Sequence, residues 1–216
     1  MLYDFIKRTI DIIGSSIALI LLSPVFLALI ILIKLTSKGP VFFTPLRVGK
    51  DGRLFKMLKF RSMNMYEIDG QTVHAEKYLD QNPQLKKAYQ KNSYKLQNDP
   101  RITAVGHILR RLSLDELPQI LNVWLGDMSL VGPRAYQKDE LIHQQMVYPH
   151  TRKFVRVILN CRPGASGPWQ VSGRSFINFD KRVEMDAEYV KRRSILYDML
   201  VIIKTPIAMI SGKGAI

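Results

Sequence analysis

Two adjacent carboxylates, Asp115 and Glu116, are the strongest candidates for chemistry in this sequence. They stand in the run Ser113-Leu-Asp-Glu-Leu-Pro118, where the spacing predicts the start of an amphipathic helix. Carboxylates at a helix N-terminus stay ionised because the helix dipole and the free N–H groups favour the anion. An ionised Asp can act as a nucleophile or hold a divalent cation. The alternative is a capping box in which Ser113 and Glu116 satisfy backbone donors, and spacing alone favours it.

Basic residues in neighbouring motifs are candidates for binding phosphate. Arg and Lys form charge-assisted hydrogen bonds to phosphate oxygens, and several together could neutralise a diphosphate. Any one of them alone is more typical of a solvated surface charge. The candidates are Lys59, Arg61, Arg110, Arg111 and Arg134.

Composition narrows the partners without choosing among them. The chain has 216 residues, enough for one domain with a full core. Lys and Arg outnumber Asp and Glu by 32 to 18, a formal charge of +14, which suits nucleic acid, anionic lipid or a phosphorylated substrate. The single cysteine, Cys161, cannot form an intramolecular disulfide and indicates a reducing compartment.

Several other chemistries lack their motifs. The four histidines show no HExxH spacing and no pairing with cysteine, so zinc is not expected. The sequence contains no P-loop, no GxSxG and no GxGxxG. Tyrosines near basic residues could contact nucleic acid, but no recognised module accompanies them, so no nucleic-acid partner is predicted.

An uncharged apolar segment covers residues 12–33. As a helix it would be roughly 33 Å long at ~1.5 Å per residue, about one hydrocarbon thickness. Because basic residues flank it on both sides, the positive-inside rule draws both ends toward the cytoplasm. Pro24, within Ser23-Pro24 at the middle, removes a backbone donor and can bend the helix. A re-entrant hairpin and a kinked single span both fit these features. The flanking basic residues include Lys7, Arg8, Lys34 and Lys38.

Periodicity indicates a chain rich in helices with a few short strands. A turn at residues 49–52 separates two strand-like runs, 41–43 and 53–60, which predicts a hairpin. The polar stretch 64–98 is predicted to become helical after Asn82-Pro83. The apolar end of the chain suits either a helix on anionic headgroups or a helix that completes the core. Helices are predicted over 102–112, 115–125, 140–157 with a break at Pro149, 179–193 and 195–210.

A series of short motifs occurs in order along nearly the whole chain. They are Lys7-Arg8 with Asp11, Ser23-Pro24, Gly39-Pro-Val-Phe-Phe43, Arg47-Val-Gly49, Lys59-Phe-Arg-Ser-Met63, Asp99-Pro-Arg-Ile-Thr103, Ser113-Leu-Asp-Glu-Leu-Pro-Gln119, Gly126-Asp-Met-Ser-Leu-Val-Gly-Pro-Arg134, Arg162-Pro-Gly164 and Trp169-Gln-Val-Ser-Gly-Arg174. Together they resemble the bacterial sugar transferase family, the monotopic polyprenyl-phosphate phosphoglycosyl transferases. The insertion at 64–98 looks closest to the catalytic portion of the larger undecaprenyl-phosphate hexose-1-phosphate transferases.

The resemblance implies a two-step reaction. A carboxylate attacks the sugar-bearing phosphate of a UDP-sugar and expels UMP, and polyprenyl (undecaprenyl) phosphate then takes the phosphosugar from the enzyme. By match to the family's Asp-Glu dyad, Asp115 would be the nucleophile and Glu116 its partner in handling Mg²⁺ or protons. The five basic candidates would contact phosphate. Ala135 stands where the family usually has Pro, which leaves the rigidity of that loop open.

The resemblance also implies a helix-rich α/β fold in a monotopic membrane protein. Residues 1–36 would form a re-entrant membrane helix bent at Ser23-Pro24, with Lys7 and Arg8 among the phospholipid headgroups. Residues 37–216 would form a small cytosolic catalytic domain with short strands and amphipathic helices on the membrane surface. The expected location is the cytosolic face of the bacterial inner membrane, at the first step of O-antigen, capsule, exopolysaccharide or glycoprotein assembly. The resemblance does not identify the sugar that is transferred, and a homodimer is possible.

Two other functions remain open on the sequence. A noncatalytic basic membrane adaptor would bind anionic lipid or nucleic acid with a steep salt dependence and would not need Asp115. A glycosyltransferase that moves the sugar without its phosphate would release UDP rather than UMP. The dyad in its motif context favours the phosphosugar transferase, and the nucleotide product separates the two enzymes.

Overall fold

Helices make up most of the structure, a computed structural model that describes residues 2–68, 70–91, 96, 99–173 and 177–211. The helices are α1 Leu2–Thr36, α2 Ala75–Tyr78, α3 Pro83–Lys91, α4 Ala104–Arg111, α5 Gln119–Leu125, α6 Lys138–Val147, α7 Arg152–Ile158, α8 Pro168–Ser172, α9 Phe179–Arg192 and α10 Ile195–Ser211. The strands are β1 Phe42–Phe43, β2 Leu46–Val48, β3 Leu54–Lys56, β4 Lys59–Phe60, β5 Met65–Ile68, β6 Gln71–His74, β7 Ser129–Val131 and β8 Gly164–Ser166. The predicted helix-rich α/β class is confirmed.

Helix α1 is continuous over 35 residues and contains Pro24. Within the described ranges it is the one helix long and apolar enough to cross a membrane by length and composition. Ser23 and Pro24 at its middle are exposed, whereas each half carries buried residues. The buried residues are Asp11 and Ser15 in the first half and Leu29 and Ile33 in the second.

Both halves of α1 pack against the rest of the chain. In the first half, a buried Asp11 oxygen accepts hydrogen bonds from the Ser129 hydroxyl at 3.0 Å and the Leu130 N–H at 2.9 Å, on β7. In the second half, the rings of Phe26 and Phe60 lie 5.4 Å apart, edge to face, in an apolar cluster. The two ends of the apolar helix therefore lie against the same domain.

The predicted hairpin exists, but it contains four short strands rather than two. Antiparallel strands β2 and β3 enclose the turn at Lys50–Gly52, and β1 pairs with β4 outside them. Between the two pairs the Met57 N–H donates to the Pro45 carbonyl at 3.0 Å, but Pro45 has no N–H to donate in return. The outer pair places Lys59 opposite Phe43 at the edge of the candidate site.

Sequence reasoning missed the antiparallel hairpin of β5 and β6, in which Met65 pairs with His74. The signal was present, since Asp69-Gly70 separates two short runs and an Asp-Gly pair is a strong hairpin signal. The helix predicted after Asn82-Pro83 is confirmed as α3.

The last third of the chain forms an apolar cluster and contributes β8 to a parallel strand pair with β7. Helices α6, α7 and α9 enclose an apolar cluster around Tyr136 and Phe179. Strands β7 and β8 are parallel and bring Gly132-Pro133-Arg134 next to Pro163-Gly164. The Gly132 N–H donates to the Ser166 carbonyl, and the Gly164 N–H donates to the Pro133 carbonyl. The backbone leading to Arg134 is thereby fixed.

Candidate active site

Asp115 and Glu116 lie in a short 3-10 turn, Leu114–Glu116, between α4 and α5. Ser113 adopts the left-handed conformation with φ 54° and makes no side-chain capping bond. An N-cap requires extended backbone, so the capping-box interpretation is wrong. The dyad also does not open α5, which begins at Gln119. Because the cap is absent, the Glu116 side chain is available for other partners.

Lys59 is the partner that Glu116 takes. Its Nζ lies 2.6 Å from Glu116 Oε1 and 3.9 Å from Asp115 Oδ2. The Lys59 side chain is 19% exposed and that of Asp115 10%, so the contact is largely shielded from water. The structure therefore brings Lys59 to the dyad, as the motif resemblance implied.

Burial raises the pKa of Asp115 to about 6. The positive charges of Lys59 and Arg110 oppose this rise, and the charge of Glu116 adds to it. The sequence predicts that Asp115 is an anion stabilised by a helix N-terminus. In the structure Asp115 is buried instead, and a buried carboxylate is costly to ionise. Asp115 is still mainly ionised at neutral pH, and its higher basicity suits a nucleophile.

Helix α4 positions Arg110 beside the dyad. Thr103 caps its first turn by accepting the Gly106 N–H, and Gly106 lies directly against the carbonyl of Ser62. At the other end of α4, Arg110 Nε donates to the Ser62 hydroxyl at 2.9 Å. Arg111 is exposed and has no hydrogen bond or ion pair within the described part of the chain.

Arg61 contacts the segment that follows α1. Its side chain is almost fully buried, and its guanidinium donates to the Ser37 carbonyl at 3.0 Å, the Ser37 hydroxyl at 2.7 Å and the Lys38 carbonyl. These bonds hold the chain that leaves α1 against β4. The two terminal nitrogens of Arg61 thus bind the chain itself, while its buried Nε has no partner among the described residues, and its role as a phosphate contact stays a prediction.

Arg134 follows β7 and is half-buried. Its guanidinium lies 5.0 Å from the centre of the Trp169 ring and 5.9 Å from that of Tyr136. Burial lowers the pKa of Arg134, but the charges of Glu140, Tyr136, Glu116 and Asp186 outweigh it and raise the pKa. Arg134 is thus within electrostatic reach of Glu116.

The dyad supplies the oxygen ligands that Mg²⁺ prefers. Mg²⁺ in proteins is held by one or two carboxylates together with substrate phosphates and water. Among the described residues, no group of three or more His, Cys, Asp or Glu could hold a metal. Asp115 and Glu116 are two carboxylates, the number that such a site takes from the protein.

The predicted headgroup residues bind protein groups in this structure. Lys7 Nζ forms an ion pair with Asp198 at 2.7 Å, and Tyr189 donates to the same carboxylate at 2.6 Å. Arg8 donates to the carbonyls of Val123 and Trp124 at 2.7 and 2.8 Å. Both basic side chains therefore attach α1 to the domain. Arg174, the last residue of the Trp169 motif, lies outside the described residues.

The geometry of a carboxylate dyad surrounded by cations agrees with the sequence relationships. The chain belongs to the bacterial sugar transferase family, whose model matches residues 2–212. It is therefore a transferase, and the adaptor alternative is set aside.

Particular relatives agree with this class. The chain is 41% identical over 209 residues to the exopolysaccharide production protein ExoY of Rhizobium meliloti, covering 97% of this chain and 87% of that protein. It is 42% identical over 212 residues to the undecaprenyl-phosphate galactose phosphotransferase of Salmonella typhimurium, covering 98% and 42%. It is 35% identical over 215 residues to the UDP-glucose:undecaprenyl-phosphate glucose-1-phosphate transferase of Escherichia coli, covering 97% and 41%. The chain thus spans most of ExoY and about two fifths of the two longer relatives.

Proposed function

We propose that the chain transfers a sugar-1-phosphate from a UDP-sugar to undecaprenyl phosphate and releases UMP. The observation that carries the proposal is the buried Asp115 carboxylate with Lys59 and Arg110 beside it and Arg134 within electrostatic reach of Glu116. A diphosphate brings several negative charges to one place, and this arrangement offsets them next to a nucleophile. The names of the Salmonella and Escherichia relatives describe the same transfer.

The reaction follows from two displacements at one phosphorus atom. A carboxylate oxygen of Asp115 bonds to the sugar-bearing phosphorus while the bond to the UMP oxygen breaks. An oxygen of undecaprenyl phosphate then bonds to the same phosphorus and the bond to Asp115 breaks, which regenerates the carboxylate. Lys59, Arg110 and Arg134 stabilise the charge on the leaving UMP and on the transferred phosphate. Mg²⁺, held by Asp115 and Glu116, would neutralise further charge on the diphosphate.

The test is a nucleotide-release assay with a panel of UDP-sugars that includes UDP-galactose and UDP-glucose. The proposal expects UMP release with at least one of them, with transfer completed only when undecaprenyl phosphate and Mg²⁺ are present. Release of UDP would instead establish a glycosyltransferase that moves the sugar alone. The match to ExoY favours exopolysaccharide assembly as the pathway.

We further propose that α1 enters and leaves the cytosolic face of the inner membrane as a re-entrant helix. Both halves of α1 contact the same domain, and the exposed Ser23-Pro24 lies between them. At ~1.5 Å per residue the 35 residues of α1 amount to roughly 52 Å of helix, more than one hydrocarbon thickness.

Replacing Ser23-Pro24 by Ala-Ala is expected to favour a straight α1, because Pro24 removes a backbone donor inside the helix and proline is a common cause of helix kinks. The measurement is cysteine labelling at Leu2 and Lys38 in a Cys161→Ala background, in membrane vesicles of known orientation. Both sites should label from the cytosolic face in the parent, and the Leu2 site should lose that accessibility in the Ala-Ala variant. Leu27→Ala, also exposed on α1, is the control. Unchanged labelling would show that Ser23-Pro24 does not cause the bend.

A further inference from the structure

A buried polar cluster lies around the Trp169 ring, and Arg134 is the one member of it to which the proposed transfer gives a role. Arg182 shares the Trp169 ring with Arg134, at 4.9 Å from the ring centre. The cluster holds several buried polar atoms that have no hydrogen-bond partner among the described residues. They include Arg134 Nε, Arg182 Nε, Trp169 Nε1 and Asp186 Oδ1.

The two arginines on Trp169 differ in what else they bind. Arg182 is almost fully buried, lies 3.8 Å from Glu140, and donates to the Ile177 carbonyl at 3.1 Å. The guanidinium of Arg134 makes no hydrogen bond and no ion pair within the described ranges. Arg182 is therefore committed to the protein, while the terminal guanidinium nitrogens of Arg134 have no protein acceptor among the described residues and its Nε is buried.

The backbone of Arg134 is held by Asp186 of α9, which is fully buried. Asp186 Oδ2 accepts the Arg134 N–H at 3.0 Å, next to the glycine contacts that pair β7 with β8. The following residue is Ala135, so no proline ring restricts the chain there. The side chain of Arg134 thus runs between two fixed points, Asp186 at its backbone and Trp169 at its guanidinium.

We propose that Asp186 is a positioning residue, which holds Arg134 so that its guanidinium meets the phosphate of the UDP-sugar. This inference rests on the proposed function, because the phosphate is the ligand that Arg134 would bind. Positioning matters since a small displacement of a charged donor loses much of its stabilisation of the reacting phosphate.

Burial raises the pKa of Asp186 to about 7, against the Arg134 hydrogen bond and the charges of Arg182 and Arg134. An uncharged acceptor at position 186 can therefore serve the same backbone N–H. Asp186→Asn keeps a carbonyl oxygen in the same place, whereas Asp186→Ala removes the acceptor. The two variants separate the hydrogen bond from the charge.

The experiment is a double-mutant cycle between position 186 and Arg134→Ala, followed by kcat/KM for UMP release. Asp186→Ala should lower kcat/KM by about 10- to 50-fold, and Asp186→Asn by less than about 3-fold. In the Arg134→Ala background, Asp186→Ala should add less than about 2-fold, because the residue it positions is gone. Glu188→Gln, an exposed carboxylate on the same helix, should leave kcat/KM unchanged.

Equal losses from Asp186→Ala with and without Arg134 would overturn the proposal. If Asp186→Ala does not fold, a loss of tenfold or more in the nearly isosteric Asp186→Asn would overturn it as well.

The same double-mutant cycle is repeated with UDP affinity as the measured quantity. The affinity is measured by calorimetry in the Asp115→Asn protein, so that turnover does not interfere. If Asp186→Ala weakened UDP binding equally with and without Arg134, the positioning role would be overturned, even where the parent releases UMP normally. Absence of UMP release from every UDP-sugar would instead overturn the proposed function.

Discussion

Asp115→Asn is expected to lower UMP release by about a thousandfold or more. An amide at this position cannot attack phosphorus, while the neighbouring Lys59–Glu116 ion pair remains. The measurement is UMP release with the best UDP-sugar at saturating Mg²⁺. Asp51→Asn is the control, because Asp51 is exposed with φ 56° and Asn tolerates that conformation. Activity near that of the parent in Asp115→Asn would exclude Asp115 as the nucleophile.

The lost activity should not come from a damaged fold. The pKa of Asp115 is about 6 in the folded protein against an ordinary 3.8, so the folded state binds this proton more tightly than the unfolded state does. Stability from this group is therefore lost as the pH rises from about 4 to 6, by up to about 3 kcal/mol.

Asp115→Asn lacks this ionisation, so it should unfold at a higher temperature than the parent at pH 7 and at a similar one near pH 4. The measurement is thermal unfolding in buffer with a chelator, because a bound cation would offset the cost of the buried charge. A variant less stable than the parent at pH 7 would contradict the burial argument.

Gly106→Ala is expected to lower UMP release by about a hundredfold and to destabilise the fold by about 1–3 kcal/mol. A Cβ at position 106 would overlap the Ser62 carbonyl oxygen, which is backbone and cannot move aside freely. Helix α4 would shift, and it carries Arg110 and leads directly into the dyad turn.

The control for Gly106→Ala is Gly52→Ala, whose added Cβ meets no atom within 4 Å. Since Gly52 has φ +76°, this control should cost only about 1–2 kcal/mol and leave UMP release unchanged. Thermal unfolding and UMP release are measured on both variants. A Gly106→Ala protein with parental activity would show that the contact with Ser62 does not position the site.

The pattern of residues within a short stretch of sequence predicted the helices and turns whose conformation depends on neighbouring residues. Apolar periodicity gave the helices now seen as α4, α9 and α10, and the Gly49–Gly52 turn gave the hairpin that carries Lys59. The motif resemblance selected Asp115 and Glu116 together with Lys59 and Arg110, which the structure brings together.

Other roles depend on partners far away in the chain, which no local pattern contains. Lys7 meets Asp198 across 191 positions, and Arg61 binds carbonyls at Ser37 and Lys38. Arg182 and Asp186 stand four positions apart on α9, a spacing typical of a solvated pair, yet both are buried, Arg182 against Trp169 and Asp186 against the backbone of Arg134. The residue type of Ser113 predicts a helix cap. The prediction is wrong because the conformation of Ser113 is set by the end of α4.

The covalent link at Asp115 is tested most directly by mass spectrometry of the intact protein after incubation with UDP-sugar and Mg²⁺, without undecaprenyl phosphate. We predict an adduct with the mass of a sugar phosphate, located on Asp115 by peptide mapping. It should be absent in Asp115→Asn and removed when undecaprenyl phosphate is added. UMP release that strictly requires undecaprenyl phosphate, with no adduct on the enzyme at any time, would contradict it.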